Sequence, residues 1–410
     1  MKHLISLILF FTALVLLPAT IFSQNDFLRV TAQGNRQLRL IILPPAPSSG
    51  EQNQKIASEI ADIFKLDLGM TGLFTMVDQA EADLQLKTVY TVTAQTVTFE
   101  YRLAELPSGR EILSKRYSSP LTDIRKNAHT FSDEVLSALT GIMGPFTGKI
   151  AYISTATGNK EIWLMDWDGK NRRKLTNNGS INLNPEFSPS GKEIIFTSYK
   201  NGNPDLYRRE LFTGSEARTS SSSGINITGA FSPEGNRIAL AKSKDGNSEI
   251  YLITKEGKQL ARLTKTPAID LSPTWSPDGK LIAFVSDRLG KPQIFIMRID
   301  GSEVRRLTTS GAYNVAPRWS PKGDKIAYSR QYGSGFQIHT INPDGSDDTQ
   351  ITFEGNNEHP RWSPDGRFIV FGSKRSGSES IYVMRADGSG QIKVSSSKAK
   401  DSHPTWSARW

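Results

Sequence analysis

FSPSGK at Phe187, FSPEGN at Phe231, WSPDGK at Trp275, WSPKGD at Trp319 and WSPDGR at Trp362 are five copies of one phrase. A sixth, incomplete copy, WSARW, begins at Trp406 and runs to the last residue. The steps between the aromatics are 44, 44, 44, 43 and 44 residues. So even a period means equal supersecondary units, and about 40–45 residues is the length of one four-stranded propeller blade.

The phrase is a turn. Ser can bond back to the backbone at the first position, Pro presets φ at the second, and Gly suits the fourth of a type I turn. A short apolar run follows each copy: IIFTS from Ile194, IALAK from Ile238, IAFVS from Ile282, IAYSR from Ile326 and IVFGS from Ile369. These read as strands buried on both faces. A third strand comes next, such as EIYLI from Glu249 or QIFIM from Gln293. Asp-Gly pairs at Asp300, Asp344 and Asp387 mark the hairpin to a fourth strand that ends in Leu-Thr or similar. Before the copy at Phe231 the pattern departs: Pro is missing, and the Ser-rich Thr219–Ser223 stands where a fourth strand is expected.

The first unit enters at its second strand, IAYIS from Ile150, while the last supplies only a first strand, around His403–Ser407. The array is out of register by one strand. A closed ring resolves this, with the C-terminal strand completing the blade begun at Ile150 and no raw sheet edge left. The expected fold is mainly β, a six-bladed β-propeller over 150–410 closed by its C-terminal strand.

Ahead of it, residues 1–23 read as an export signal. Lys2 precedes an apolar run from Leu4 to Leu17, short for a membrane-spanning helix of about 20 residues. Residues 24–35 form a short polar, β-like peptide. Residues 36–140 read as a small α/β domain. It has strands at Leu38–Leu43, Leu73–Val77, Leu84–Val92, Thr96–Leu106 and Arg110–Ser118. One helix carries Ile56, Ile60, Ile63 and Phe64 on a face, and a second carries Ile124, Ala128, Phe131, Val135 and Leu139 and stops at Gly141. Residues 141–149, with three Gly, read as a linker. There is no Cys, which excludes a disulfide framework and a lipid-anchored N-terminus. Net charge is +9, scattered through every unit without a dense block, so a soluble surface is expected rather than nucleic-acid binding.

Two sets of residues are candidate sites. Five residues before each aromatic stands Asn182, Asn226, Asp270, Asn314, Asn357 or Asp401. If first strands line the central channel, this ring lies near one mouth. The competing reading is local, a side chain that satisfies turn donors in every blade. His359 and His403 precede Pro in adjacent units, where others have Asn184, Ser272 and Ala316. They could hold a metal or a carboxylate, but two ligands without a third favour a polar channel lining. His129, one residue off a helical apolar stripe, reads as structural. No nucleophile elbow, zinc-protease helix or P-loop motif occurs. The surviving catalytic alternative is a propeller enzyme or binding protein acting on cell-wall glycan or peptide, with Asp270 and Asp401 as a carboxylate pair in the channel.

The combination of an N-terminal α/β domain, the helix RKNAHTFSDEVLSALTG from Arg125, the junction GPFTGKIAYIS from Gly144 and six units resembles the TolB family of the Tol-Pal system. The resemblance implies a soluble, non-enzymatic, monomeric periplasmic scaffold with no cofactor, no metal and no membrane insertion. It would serve outer-membrane integrity and constriction during cell division. It implies two partners: a TolA-like inner-membrane protein bound by the N-terminal peptide through Asp26, Phe27, Leu28, Arg29 and Val30, and a Pal-like peptidoglycan-associated lipoprotein bound at the propeller face. On that expectation the six Asx residues, His359 and His403 are its channel-mouth contacts.

Overall fold

The structure is a computed structural model and describes residues 37–49, 52–396 and 398–410. The first unit is a mixed sheet in the order Phe74–Met76, Leu38–Ile42, Leu84–Val92, Thr96–Glu105, Glu111–Pro120, with Ala46–Pro47 added beside Leu84–Val92. Pairings among the early strands are parallel and the last two are antiparallel. Two helices pack on it, α1 (Gln54–Met70) and α2 (Ile124–Thr140). Asn53 caps α1 by accepting from the Ile56 amide at 3.2 Å. Gly141, at φ 74°, ends α2. Their apolar stripes, Ile60, Phe64, Phe131 and Val135 among them, bury against Leu86, Phe99, Tyr101 and Leu103 on alternate strand positions.

Six four-stranded antiparallel sheets follow among the described residues. We number them by first strand: blade 1 from Asp401, 2 from Asn182, 3 from Asn226, 4 from Asp270, 5 from Asn314 and 6 from Asn357. In every blade the aromatic of the repeated phrase pairs with the Ile that opens the second strand. Phe187 pairs with Ile194, Trp319 with Ile326, and across the chain ends Trp406 with Ile150. The ring therefore closes as its phase requires, and blade 1 has the register of the others. Each Ser-Pro turn carries the bond that defines it, as from the Gly191 amide to the Ser188 carbonyl at 2.9 Å. The Asp-Gly turns pack against the preceding blade. A Cβ on Gly169 would lie 1.9 Å from the Val394 carbonyl of blade 6, so only Gly fits that approach.

Two expectations need correction. The Ser-rich stretch does not replace a fourth strand: Glu216–Ser220 pairs with Asp205–Glu210 like its counterparts. A ladder needs backbone groups rather than Leu-Thr, and the serines add bonds of their own, with Ser220 and Ser222 hydroxyls both donating to Asn226 Oδ1 at 2.8 Å. Gly229 stands in place of the missing Pro, and the Ile195 and Leu206 side chains close in on it, with Ile195 Cδ1 2.9 Å from where a Cβ would lie.

The second correction concerns 141–149, which is not a free linker along its length. Pro145, Phe146 and Thr147 are buried. The Asp133 carboxylate of α2 accepts from the Phe146 amide at 2.7 Å, the Thr147 amide at 3.1 Å and the Thr147 hydroxyl at 2.7 Å. One continuous core runs from the α/β unit into blades 6 and 1 through Phe146, Trp167, Phe368 and Trp406. Trp167 and Trp406 stack at 6.2 Å. Arg385 of blade 6 donates to the Met70 and Gly69 carbonyls at the end of α1.

Candidate functional site

First strands surround the central channel, which has two unlike ends. At the Asx end the chain enters each first strand; at the turn end it leaves through Ser-Pro. The α/β unit packs against the turn end, on Asp168 through Arg125 and on Arg385.

The six Asx side chains do not rim the channel. All are fully buried. Each of the four Asn ties its blade to the one before. Asn314 Nδ2 donates 2.7 Å to Gln293 Oε1, at the start of the third strand of blade 4. Asn357 does the same to Gln337 at 2.8 Å, Asn182 to Glu161 at 3.0 Å and Asn226 to Asp205 at 3.4 Å. From the other side Arg330 and Arg375 donate to the Oδ1 of Asn314 and Asn357. Where the residue is Asp, an Arg compensates: Arg288 lies 3.2 Å from Asp270 and Arg172 3.9 Å from Asp401. Burial pushes the Asp270 carboxyl up, and bonds from Ser286 and Arg288 pull it back. This buried position removes the six from the surface a partner could touch. It also removes the catalytic pair, since neither Asp270 nor Asp401 reaches the channel.

Two positions further along, every first strand holds a residue in the left-handed region: Asn184, Thr228, Ser272, Ala316, His359 and His403, with φ between 49° and 56°. The register slips by one residue there in all six blades. This bulge ring is costly for non-Gly residues and recurs at the same place in the first-to-second strand ladder of every blade. Only its two histidines stood out in the sequence. A left-handed residue directly before Pro leaves no compositional mark.

His359 and His403 do meet. Their rings stack at 3.7 Å across the boundary of blades 6 and 1. Burial in the channel holds His359 down to about 4, helped by Lys374, although channel water still reaches 32% of its side chain. Burial, then His359, Arg361 and Lys160, holds His403 well below the usual range. Both rings are therefore neutral at pH 7. Among the described residues no third ligand converges on them. A His129, Asp166 and Asp168 group does converge elsewhere, at the junction of the units. Its carboxylates are already matched by Arg125 and Lys149, and His129 Nδ1 bonds Asp67 at 2.9 Å, a structural role.

The Asx end carries an exposed apolar set that sequence reading missed. Phe353 is 72% and Leu289 59% exposed, and Tyr332, Ile269 and Ile181 are also exposed. All five lie in or beside the loops that enter first strands or leave second strands. No periodic pattern marks them, because the loops differ from blade to blade. Lys160, Lys374 and Lys400 gather near Glu379 between blades 6 and 1. Asp26, Phe27, Leu28, Arg29 and Val30 lie outside the described residues.

The comparisons with known proteins agree on both units. A model described as the TolB beta propeller domain matches residues 136–410, and one described as the TolB amino-terminal domain matches residues 27–101. The chain is 58% identical over 202 residues to the Tol-Pal system protein TolB of Geobacter metallireducens, covering 44% of this chain and 47% of that one. It is 53% identical over 220 residues to its namesake in Geobacter sulfurreducens, covering 47% and 50%. The matched stretch thus spans about half the length of these relatives. The crystal structure of TolB from Acinetobacter baumannii superposes with a TM-score of 0.80 at 26% identity, over 91% of this chain and 97% of that one.

Proposed function

This chain belongs to the TolB family, and on that premise we propose that it is a non-enzymatic scaffold of the Tol-Pal system in the periplasm of a Gram-negative cell. Its role is to link a Pal-like peptidoglycan-associated lipoprotein to a TolA-like inner-membrane protein, for outer-membrane integrity and constriction during division. The Pal-like partner docks on the Asx end of the channel.

The observation that carries the docking site is the exposed apolar set around that end, with Phe353 and Leu289 most prominent. Large exposed apolar side chains carried on loops at one end of a propeller are what interface anchors look like. Among the described residues the α/β unit packs at the opposite end. His359, His403 and the lysines beside them supply polar contacts within the same mouth. The TolA-like partner is assigned to Asp26–Val30, a segment whose apolar Phe27, Leu28 and Val30 suit addition as a strand to another sheet.

Titration of the soluble domain of a Pal-like lipoprotein tests the first assignment. Phe353→Asp should weaken binding by about 2 kcal/mol, the cost of losing one hot-spot anchor. Unchanged affinity for Phe353→Asp and Leu289→Asp together would remove the Asx end as the docking face. Deleting Gln24–Val30 should abolish binding to the C-terminal domain of a TolA-like protein and spare Pal binding. Undiminished TolA binding by the truncated chain would end that assignment.

A further inference from the structure

The turn end of the channel holds a cavity of ≈ 330 Å³. The residue before each aromatic lines it; in ring order from blade 1 these are Thr405, Glu186, Ala230, Thr274, Arg318 and Arg361. Their charges do not cancel. Arg361 reaches past blade 1 to lie 3.0 Å from Glu186, an ion pair that spans the channel. Burial raises the Glu186 carboxyl and Arg361 draws it back down. That pair uses the one carboxylate in the lining. Arg318, in the preceding blade 5, has no carboxylate partner among the described residues. Its Nη1 donates to the adjacent Pro317 carbonyl at 2.7 Å, and its Nε is buried with no acceptor.

Directly across the ring from Arg318 stands Glu186, already paired with Arg361, and the wall on the blade-4 side of Arg318 is made of small side chains, Thr274 and then Ala230. Two indole donors nearby are engaged. The Trp362 indole donates to the Arg318 carbonyl at 3.0 Å, and the Trp275 indole to the Ala230 carbonyl at 3.1 Å. These tryptophans therefore offer the cavity an apolar surface rather than hydrogen bonds. A buried guanidinium donor without an acceptor is costly, and a planar fork of donors matches a carboxylate in two contacts. The volume lies at the lower end of the range for small-molecule sites.

We propose that the turn end of the channel binds a small monocarboxylate, with its anionic group on Arg318 and its apolar body among Trp275, Trp319 and Trp362. The single surplus positive charge suits a monoanion; a dianion would face Glu186 across the channel. The carboxylate can come from a free organic acid or from the C-terminus of a peptide threaded into the channel. This site is separate from the docking surface at the other end and does not depend on it.

Benzoate is the probe, followed by calorimetry and by tryptophan fluorescence, with benzyl alcohol as the neutral control. The peptide arm compares Gly-Gly-Phe with a free and an amidated C-terminus. Benzoate is expected to saturate with a Kd of about 1 mM, the affinity of a modest contact set. Benzyl alcohol should not bind, and Arg318→Gln should weaken benzoate at least about tenfold, the loss of one charge-assisted contact. Arg318→Lys, which keeps the charge but not the fork, should recover part of the affinity. Pal binding by both variants should equal that of the parent, which separates failure here from failure of the docking assignment. Tighter binding of the free peptide, lost on amidation, assigns the site to chain ends, and benzoate binding alone assigns it to free acids. Absence of saturation by both probes up to about 20 mM, or equal benzoate affinity in Arg318→Gln and Arg318→Lys, overturns the proposal.

Discussion

Blades 1 and 5 have four strands each and the same inner register, but they are assembled differently. In blade 5, Trp319 meets Ile326 across one tight turn. In blade 1, Trp406 meets Ile150 from the far end of the ring, and the Lys149 amide reaches Ser407 Oγ across 258 positions. By the logarithmic scaling of loop closure, bringing those two strands together costs about 3 kcal/mol more than closing a hairpin. Blade 1 has compensations that blade 5 lacks. Trp406 stacks on Trp167 and on Phe368, Arg409 donates to Thr147 at 3.1 Å, and Arg409 lies 3.5 Å from Asp133. These partners lie in the entry to the propeller, in blade 6 and in α2. The lesson is that the α/β unit is part of the clasp: the blade that closes the ring is the one the first unit packs on.

The largest test of that comparison is removal of 402–410. It exposes the edge of Gly148–Thr157 and takes Trp406 out of the shared core, a loss for which a buried Trp alone accounts for about 3–5 kcal/mol. Aggregation or loss of a cooperative melt is expected by calorimetry, and a deletion that melts like the parent would refute closure through this strand. Next in size is Asp133→Ala, which strands two backbone amides and a hydroxyl and unpairs Arg409. We expect about 3–5 kcal/mol in urea unfolding. The matched change in a continuous blade, Asn314→Ala, should cost about 1–3 kcal/mol, the ordinary range for buried hydrogen bonds. Equal costs at the two sites would show that the junction adds nothing to the clasp.

pH sharpens the comparison further, because two groups near blade 1 act in opposite directions. Burial raises Asp133 to about 6, partly offset by Thr147 and the Phe146 amide. Its unfolded value is near 3.9, so the folded state binds the extra proton between about 4 and 6. Stability from this group therefore rises as pH falls through that window, by at most about 3 kcal/mol. Asp133→Asn should remove that increment from the pH dependence of unfolding. His359 is held down to about 4 against an unfolded value near 6.5. Its contribution is present above about 6.5 and is lost as pH falls toward 4. His359→Asn should therefore be less sensitive to acid than the parent over that range. A variant-minus-parent curve with the opposite slope in either case would contradict the environment described. The smallest effect is expected at the Asx end: Phe353→Asp should leave the Tm within about 1–2 °C, since an exposed loop residue contributes little to the global transition.

Much of the candidate site was readable as position but not as role. The sixfold Asn or Asp was visible, yet its side chains point into the blade boundary instead of the channel. Asn182 finds Glu161 at a separation of 21 residues, a pairing set by how one blade leans on the next. His359 and His403 were visible as a pair, and the stack confirms their proximity. Arg318 and the Arg361–Glu186 pair were not legible, because charge balance across a channel joins residues from blades far apart in the chain.

The sequence alone determined the repeat, the strand order, the turns and the phase that requires closure. Those features rest on local chemistry: Pro and Gly preset the backbone within four residues, and short apolar runs between the turns set each strand. Only the tertiary structure decided which face of the bulged first strand meets water, which polar atoms are satisfied across a blade boundary, and that 144–148 is core rather than linker. Those outcomes depend on the ring being closed. Closure brings α2 against blade 1, and residues far apart in sequence then share one environment.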